Sequence, residues 1–345
     1  MINVSNRSAH GYIQRILDRS FSGDRLNAEE GEALITAEGS DLEAIISAAS
    51  ELNDQARPEK RITYSRKVFI PLTNLCRDRC GYCTFVKSPS NPSAHTMTPD
   101  EVLKVAADGA ALGCKEALFS LGDHPEWKHA EMRITLQELG YESTTAYTAA
   151  MSSLVFHKTG LLPHTNCGVL DEDEMLAISE WNPSMGIMLE SVSPRLFERG
   201  GAHFGTSSKA PKLRLDTLRL AGKLHIAMTT GILIGIGENV RDRVDSLLAI
   251  KDIHEEFGNI QEGIGQNFRA KPITRMRAYQ EPSHLDMMRT LATARLLLGA
   301  KMNIQAPPNL NASGYQSYLN AGINDWGGIS PLTKDFINPE LPWPQ

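Results

Sequence analysis

The chain has 345 residues, enough for one large α/β barrel or two ordinary domains. Hydrophobic residues make up 41% and charged residues 22%, which excludes a disordered or low-complexity chain. The formal net charge is −6 and no Lys/Arg run is dense enough to track a phosphate backbone, so nucleic acid is not an expected partner.

The first residues, "MINVSNRSAHGYIQRILDRS", lack the apolar core of a signal peptide. No stretch approaches the ~20 apolar residues of a membrane span. A cytoplasmic protein with no membrane partner is therefore expected, and its five cysteines should stay reduced. Residues 1–60 read as a helical N-terminal extension, with Leu42, Ile45, Ile46, Ala49 and Leu52 at helical spacing. From residue 61 strands and helices alternate. "KVFIPL" is a buried strand, followed by a cysteine loop. "MTPDEVLKVAADGAALG" opens a helix with Thr98 as N-cap, Pro99 at the first helical position and Glu101 completing a capping box. "EALFSLG" is a second strand and "PEWKHAEMRITLQELG" a helix stopped by Gly140. "LLPHTNCGV" is a third strand, and Asp171 caps the helix of "DEDEMLAISEW".

A fourth strand, "SMGIMLES", precedes the helix "KLRLDTLRLAGKL". "IAMTTGILIGIGE" supplies a fifth strand and the loop beyond it, and "VRDRVDSLLAIKDIHEEFG" a helix. "IQEGIGQNF" is a sixth strand. "HLDMMRTLATARLLLG" is a helix, and "MNIQA" a further strand. The core thus spans 61–304, and residues 305–345, rich in Pro, Gly and Asn, read as a tail closing the mouth of the core. Repeated strand–helix units imply parallel strands with right-handed crossovers. An open doubly wound sheet and a full or partial barrel both satisfy that pattern, and either places function at the carboxyl ends of the strands.

The chemistry concentrates in "TNLCRDRCGYCTF", where Cys76, Cys80 and Cys83 follow C-x3-C-x2-C. A structural zinc site closes with four ligands, and an ordinary iron–sulfur carrier uses four cysteines. Cys114 and Cys167 are isolated and read as buried thiols. Three ligands leave one coordination position open, which catalysis needs. The competing readings are a zinc knuckle and a non-enzymatic iron–sulfur protein.

C-x3-C-x-aromatic-C, with Tyr82 as the aromatic, resembles the signature loop of radical S-adenosylmethionine (SAM) enzymes. The resemblance implies a full or partial (β/α) TIM-type barrel. It implies a [4Fe–4S] cluster on Cys76, Cys80 and Cys83, with SAM on the open iron and Tyr82 near the adenine. "GILIGIGE" resembles the family's adenine-contacting segment, which implicates Gly235 and Glu238. "RLDTL" points to Arg214 for the SAM carboxylate. "IMLES" points to Glu190 for the ribose hydroxyls. "SLGDHPE" stands where the family carries Gly-Gly-Glu near the SAM amino group, so Gly122 and Asp123 match only in part.

From about residue 62 onward, "GCKEALFSLGDHPE", "GLLPHTNCGVL", "QNFRAKP" and "AGINDWGGISPLT" are similar to the cyclising family of the 7,8-didemethyl-8-hydroxy-5-deazariboflavin (FO) synthases. Cys167, where proline is expected, departs from it. The resemblance implies a lyase. It would turn 5-amino-5-(4-hydroxybenzyl)-6-(D-ribitylimino)-5,6-dihydrouracil into the deazaflavin of coenzyme F-420, releasing ammonia. It implies a separate tyrosine-condensing radical SAM enzyme that supplies the adduct, and a low-potential electron donor of flavodoxin or ferredoxin type. At 345 residues the chain is not expected to hold the second barrel of the fused forms. Candidate substrate residues are His164, Asn166, Gln266, Asn267, Arg269, Asn324 and Trp326, with Asp325 as a proton acceptor. The tyrosine-condensing enzymes and the futalosine enzymes of menaquinone synthesis share the loop. Phenylalanine is expected there in place of Tyr82, and "NDFGG" in place of "NDWGG".

Overall fold

The structure, a computed structural model, describes residues 4–344. Eight parallel strands close into a barrel in chain order. They are β1 (Thr63–Thr73), β2 (Glu116–Leu121), β3 (Leu162–Asn166), β4 (Ser184–Gly186), β5 (Ala227–Ile234), β6 (Ile260–Asn267), β7 (Ile304–Gln305) and β8 (Asp325–Ile329). Three helices precede the barrel: α1 (Val4–Phe21), α2 (Ala28–Thr36) and α3 (Gly39–Ala56). Seven more alternate with its strands: α4 (Pro99–Ala111), α5 (Ala130–Leu139), α6 (Thr144–Thr159), α7 (Glu172–Ser179), α8 (Pro211–Lys223), α9 (Val240–Phe257) and α10 (His284–Leu298).

The choice between open sheet and barrel rests on β8. Thr63 pairs with Asp325, Ser65 with Gly328 and Arg66 with Ile329, which joins the last strand to the first. β8 lies in "NDWGGI", a glycine-rich stretch with no apolar alternation to mark it as a strand. The glycine is there for room: Gly327 has φ +72°, and a Cβ on it would sit 1.7 Å from Gln305 Nε2.

Three other elements differ from the sequence reading. α6 has no counterpart in it. That helix is buried on several sides, at Thr144, Tyr147, Thr148, Met151, Ser152 and Val155, so it shows no apolar stripe. The helix expected over 125–140 divides into a 3₁₀ turn, Pro125–Trp127, and α5. The strand expected over 184–191 ends at Gly186, because the chain then turns through Glu190 at φ +65°.

Outward strand residues make the core. Val68, Ile70, Leu72, Ala117 and Phe119 pack beneath α4 and α6 with Val102, Ala106, Tyr147 and Met151. A larger cluster joins Ile232, Ile234, Leu247, Ile250 and Leu291 to Leu34, Ile35, Ile45 and Ala49 of α2 and α3. The inward faces are different. Barrel interiors of this class are commonly filled by layers of branched apolar side chains. Here Lys67, Glu116, His164, Ser184, Thr229, Glu262 and Gln305 point into a cavity instead.

Candidate active site

The cavity has a volume of about 410 Å³ and runs from the amino ends of the strands to the loops at their carboxyl ends. β1 delivers the cysteine loop to that upper end. The loop returns to β1 through Met97 N, which donates to the Leu72 carbonyl at 2.8 Å. Cys76, Cys80 and Cys83 all line the cavity. The Cys76 sulfur accepts backbone N–H groups from Asp78 and Asp123, each at 3.3 Å. Those donors favour a sulfur anion. Burial works against it, pushing the Cys76 thiol up to about 11 and the Cys80 thiol up to about 12. Positive charge is needed to hold these sulfurs as thiolates, and a metal centre supplies it. Among the described residues no three His, Cys, Asp or Glu side chains converge on a single ion. A multinuclear cluster would instead need the three cysteines to line one common space, as these do.

Gly122 and Asp123 follow β2 and brace the loop. A Cβ on Gly122 would lie 1.8 Å from the Leu75 carbonyl oxygen and 2.6 Å from Cys76 Cβ, so only glycine permits this approach. The Asp123 carboxylate is paired with Arg77 at 2.6 Å and with His124 at 2.9 Å, and accepts the Val169 N–H at 2.9 Å. Burial raises its pKa, and the His124, Val169 and Arg77 contacts more than reverse that.

Beyond β4, Glu190 faces the cavity from a left-handed backbone position that few non-glycine residues adopt. Lys209 Nζ donates to its Oε1 at 2.6 Å, and the Tyr82 hydroxyl donates to the same oxygen at 3.2 Å. Its Oε2 is buried with no partner. Burial raises the Glu190 pKa, but Lys209 and Arg214 bring it below the ordinary value, so the carboxylate is charged. Arg214 donates to the Ser208 carbonyl at 3.1 Å and to the Met188 carbonyl, which fixes the guanidinium against the cavity wall. The Tyr82 hydroxyl also lies 3.2 Å from His203 Nε2.

Of the other sequence candidates, His164, Asn166, Gln266, Asn267 and Arg269 line the same cavity. His164 Nδ1 lies 2.7 Å from Ser184 Oγ, and burial followed by the charge of Lys67 lowers its pKa to about 3, leaving a neutral ring. Arg269 is paired with Glu281 at 3.0 Å. Five candidates stand off the cavity wall. Gly235 and Glu238 form a closed turn: the Glu238 carboxylate accepts Gly235 and Ile236 N–H groups at 2.8 Å and pairs with Arg243 at 2.8 Å. Leu233, two residues before Gly235, is the cavity residue of that segment.

The "NDWGG" residues are the clearest correction. Asn324 accepts from Arg295 at 2.8 Å and from Ile304 N–H at 2.9 Å, and donates to Asn303 at 2.9 Å. Trp326 packs edge-on to Tyr315, with centroids 5.1 Å apart, on the outer core. The Asp325 carboxylate is taken by the Thr63 hydroxyl and the Gly327 N–H at the amino end of β8. As the start of a strand, this segment lies at the opposite end of the barrel from the cysteine loop.

Sequence reasoning missed Lys209, whose role depends on a fold that brings it to Glu190. It also missed the acid–base group low in the barrel: Lys67 pairs with Glu116 at 2.9 Å, and Glu262 stands near both. The sequence reading expects a closing tail over 305–345 but names no residue in it beyond Trp326. Trp343 stacks on Phe69, centroids 5.3 Å apart, and its Nε1 donates to the Thr333 carbonyl at 2.9 Å, so that Asp335, Phe336 and Asn338 line the cavity mouth.

A model of the radical SAM superfamily matches residues 70–250. The chain is 46% identical to the 7,8-didemethyl-8-hydroxy-5-deazariboflavin synthase of Methanopyrus kandleri, over 82% of this chain and 85% of that one. The chain belongs to the radical SAM superfamily and, within it, to the deazaflavin synthase family. Membership implies a [4Fe–4S] cluster and SAM as cofactors. Identity to the FO synthase of Mycobacterium tuberculosis is 48%, over 96% of this chain. The chain spans about 40% of the length of that relative. Among solved structures, the [FeFe]-hydrogenase maturase HydG shares the fold at a TM-score of 0.78 and 13% identity, covering 97% of this chain and 71% of that one. Methylornithine synthase does so at 0.70 and 19%, covering 91% and 85%. Among the described residues, this radical SAM chain has no helix long and apolar enough to cross a membrane.

Proposed function

We propose that this chain is the cyclising enzyme of deazaflavin formation. Its reaction converts 5-amino-5-(4-hydroxybenzyl)-6-(D-ribitylimino)-5,6-dihydrouracil to 7,8-didemethyl-8-hydroxy-5-deazariboflavin, with ammonia, methionine and 5′-deoxyadenosine released. A separate tyrosine-condensing radical SAM enzyme supplies the adduct. The observation that carries this reading is a single cavity with three loop cysteines at its upper end and polar side chains along its depth, in a chain of this family.

The residues present fit the cofactors. Cys76, Cys80 and Cys83 face one space, and Cys76 already receives two N–H donors. The unpartnered Glu190 Oε2 suits a ribose hydroxyl, and the cationic Lys209 and Arg214 beside it suit a carboxylate. When bound, the cluster and SAM supply a 5′-deoxyadenosyl radical that removes hydrogen from the substrate.

The chain's own residues do the rest. Asn166, Gln266, Asn267 and His164 offer donors and acceptors to the pyrimidine edge and the ribityl hydroxyls. Phe69, Phe336 and Trp343 cover the mouth and exclude water. Aromatisation requires a proton acceptor, and Asp325 is displaced from that role by its position. Glu262 replaces it. Its carboxyl lines the cavity, and burial together with the nearby Asp325 pushes its pKa up to about 7, near the value a general base needs.

The test is an anaerobic assay of the reconstituted protein with dithionite, SAM and the tyrosine–uracil adduct. Fluorescent deazaflavin with 5′-deoxyadenosine is expected. A protein that carries its cluster and cleaves SAM but leaves the adduct unchanged would refute the substrate assignment. Uptake of zinc with no iron or sulfide would refute the cofactor assignment.

A further inference from the structure

The mouth of the cavity differs from its polar depth. Phe69, Pro307, Leu310, Phe336, Ile337 and Trp343 give it an apolar wall, in which the Trp343 ring lies within 5° of parallel to Phe69. Such a wall suits the face of another aromatic ring. The tail that supplies half of it is anchored. Phe69 N donates to the Thr333 hydroxyl at 2.9 Å, and the Thr84 hydroxyl to the Ile337 carbonyl at 2.8 Å.

One cation is set into this end of the cavity. Lys271, in the loop after β6, lines the cavity and is only 5% exposed. Its backbone is fixed, because its carbonyl accepts the Thr274 N–H at 3.0 Å and the Thr274 hydroxyl at 2.9 Å. Its ammonium has little to hold. Nζ donates to the Arg269 carbonyl at 3.3 Å, and no carboxylate is hydrogen-bonded to it among the described residues. An ammonium has three N–H donors, so donors are left over at the cavity wall. Burial lowers the Lys271 pKa, while the more distant charges of Glu340, Asp335 and Cys83 oppose that.

The other charged groups near the mouth are already matched. The Asp335 carboxylate accepts the Ile337 N–H at 2.8 Å, the Asn338 N–H at 3.1 Å, and the side-chain amides of Asn338 at 2.8 Å and Asn309 at 3.0 Å. Arg269 is paired with Glu281 and Lys209 with Glu190. A buried ammonium with unmatched donors is costly unless a ligand oxygen completes it. An aromatic wall with one such cation therefore describes its ligand: a planar ring bearing an oxygen that accepts hydrogen bonds, which is a phenol or a phenolate.

We propose that Lys271 is the specificity-determining residue for the substrate's phenol, its Nζ donating to the ring oxygen while Phe336 and Trp343 cover the ring. The assignment rests on the substrate reading above and deepens it. It sets the orientation of the adduct, with the hydroxybenzyl group at the mouth and the ribityl chain in the polar depth. The buried cation favours the ionised form of the ring oxygen, and the oxygen gives the ammonium the partner that the protein withholds.

The test uses the reconstituted protein under anaerobic conditions, with two ligands: the tyrosine–uracil adduct and its analogue carrying phenyl in place of hydroxyphenyl. By calorimetry the wild type should bind the adduct roughly tenfold or more tighter than the analogue. Lys271→Met should bind the two equally, with iron content and SAM affinity at wild-type levels. Lys271→Gln, which keeps a neutral donor, should retain part of the preference. Trp343→Leu should weaken both ligands and leave their ratio unchanged, since it removes ring contact alone. A wild type that turns the adduct over yet binds both ligands equally would overturn the role of Lys271 and leave the substrate reading standing. So would a full preference in Lys271→Met, and so would a loss of iron and sulfide in that variant, which would make Lys271 a counter-charge of the cluster. Binding of neither ligand by the wild type would overturn the substrate reading itself, and the phenol site with it.

Discussion

The two ends of the barrel cavity handle charge in opposite ways. At the upper end the carboxylates Glu190 and Asp123 each have a counter-charge: Glu190 with Lys209, and Asp123 with Arg77 and His124. Both carboxylates are held below their ordinary pKa despite burial. At the lower end the balance fails. Lys67 is committed to Glu116, while burial raises both Glu262 and Asp325, Asp325 raises Glu262 further, and His164 is kept neutral. The upper end is therefore a fixed electrostatic mould suited to a charged cofactor. The lower end keeps a group able to take up a proton near neutral pH.

The largest test of that contrast is to remove the metal ligands. Alanine at Cys76, Cys80 or Cys83 should abolish iron–sulfide uptake and reductive SAM cleavage while the fold survives. Cys114→Ala and Cys167→Ala should keep both, as measured by iron and sulfide content and by 5′-deoxyadenosine. Cleavage that persisted in all three loop variants would end the distinction between the two ends.

Next in size is Glu262→Gln. Losing a general base typically costs on the order of 10²-fold or more in rate. Deazaflavin formation should fall by that much, while SAM cleavage continues. The sign of the pH dependence follows from the raised pKa. Glu262 is a carboxylate above about 7, so wild-type product formation should decline as pH falls through that value. The variant should lack that limb. A variant with an unaltered pH profile would place the acceptor elsewhere.

Glu190→Gln tests the upper end. It leaves Lys209 buried without its counter-charge, for a loss of about 3 kcal/mol in stability by chemical denaturation. SAM affinity should weaken alongside. The smallest effect is expected at Asp325→Asn. Its carboxylate is committed to Thr63 and Gly327 and does not line the cavity, so turnover should change only a few-fold. A large kinetic loss there would return Asp325 to the chemistry.

Much of the upper end is readable in the sequence because its residues sit in short, ordered motifs. The C-x3-C-x2-C loop, Gly122–Asp123 after β2, Glu190 after β4 and Arg214 near the start of α8 all carry local signals, and all reach one cavity wall. The lower end is not readable in this way. Lys67, Glu116 and Glu262 come from three strands and have meaning only once a closed barrel turns them toward each other. "NDWGG" was misplaced for the converse reason: its composition suggests a loop, but its backbone completes the sheet.

The sequence by itself determined the alternation of strands and helices, the outward apolar faces and the metal-ligand spacing, because each is set by neighbours along the chain. Only the tertiary structure decided that the sheet closes through β8. It alone showed that the inward faces enclose a polar cavity, and which acids are paired and which are left to titrate. Those properties depend on distances between residues far apart in sequence, and burial makes a charge cheap or costly only after the chain has folded.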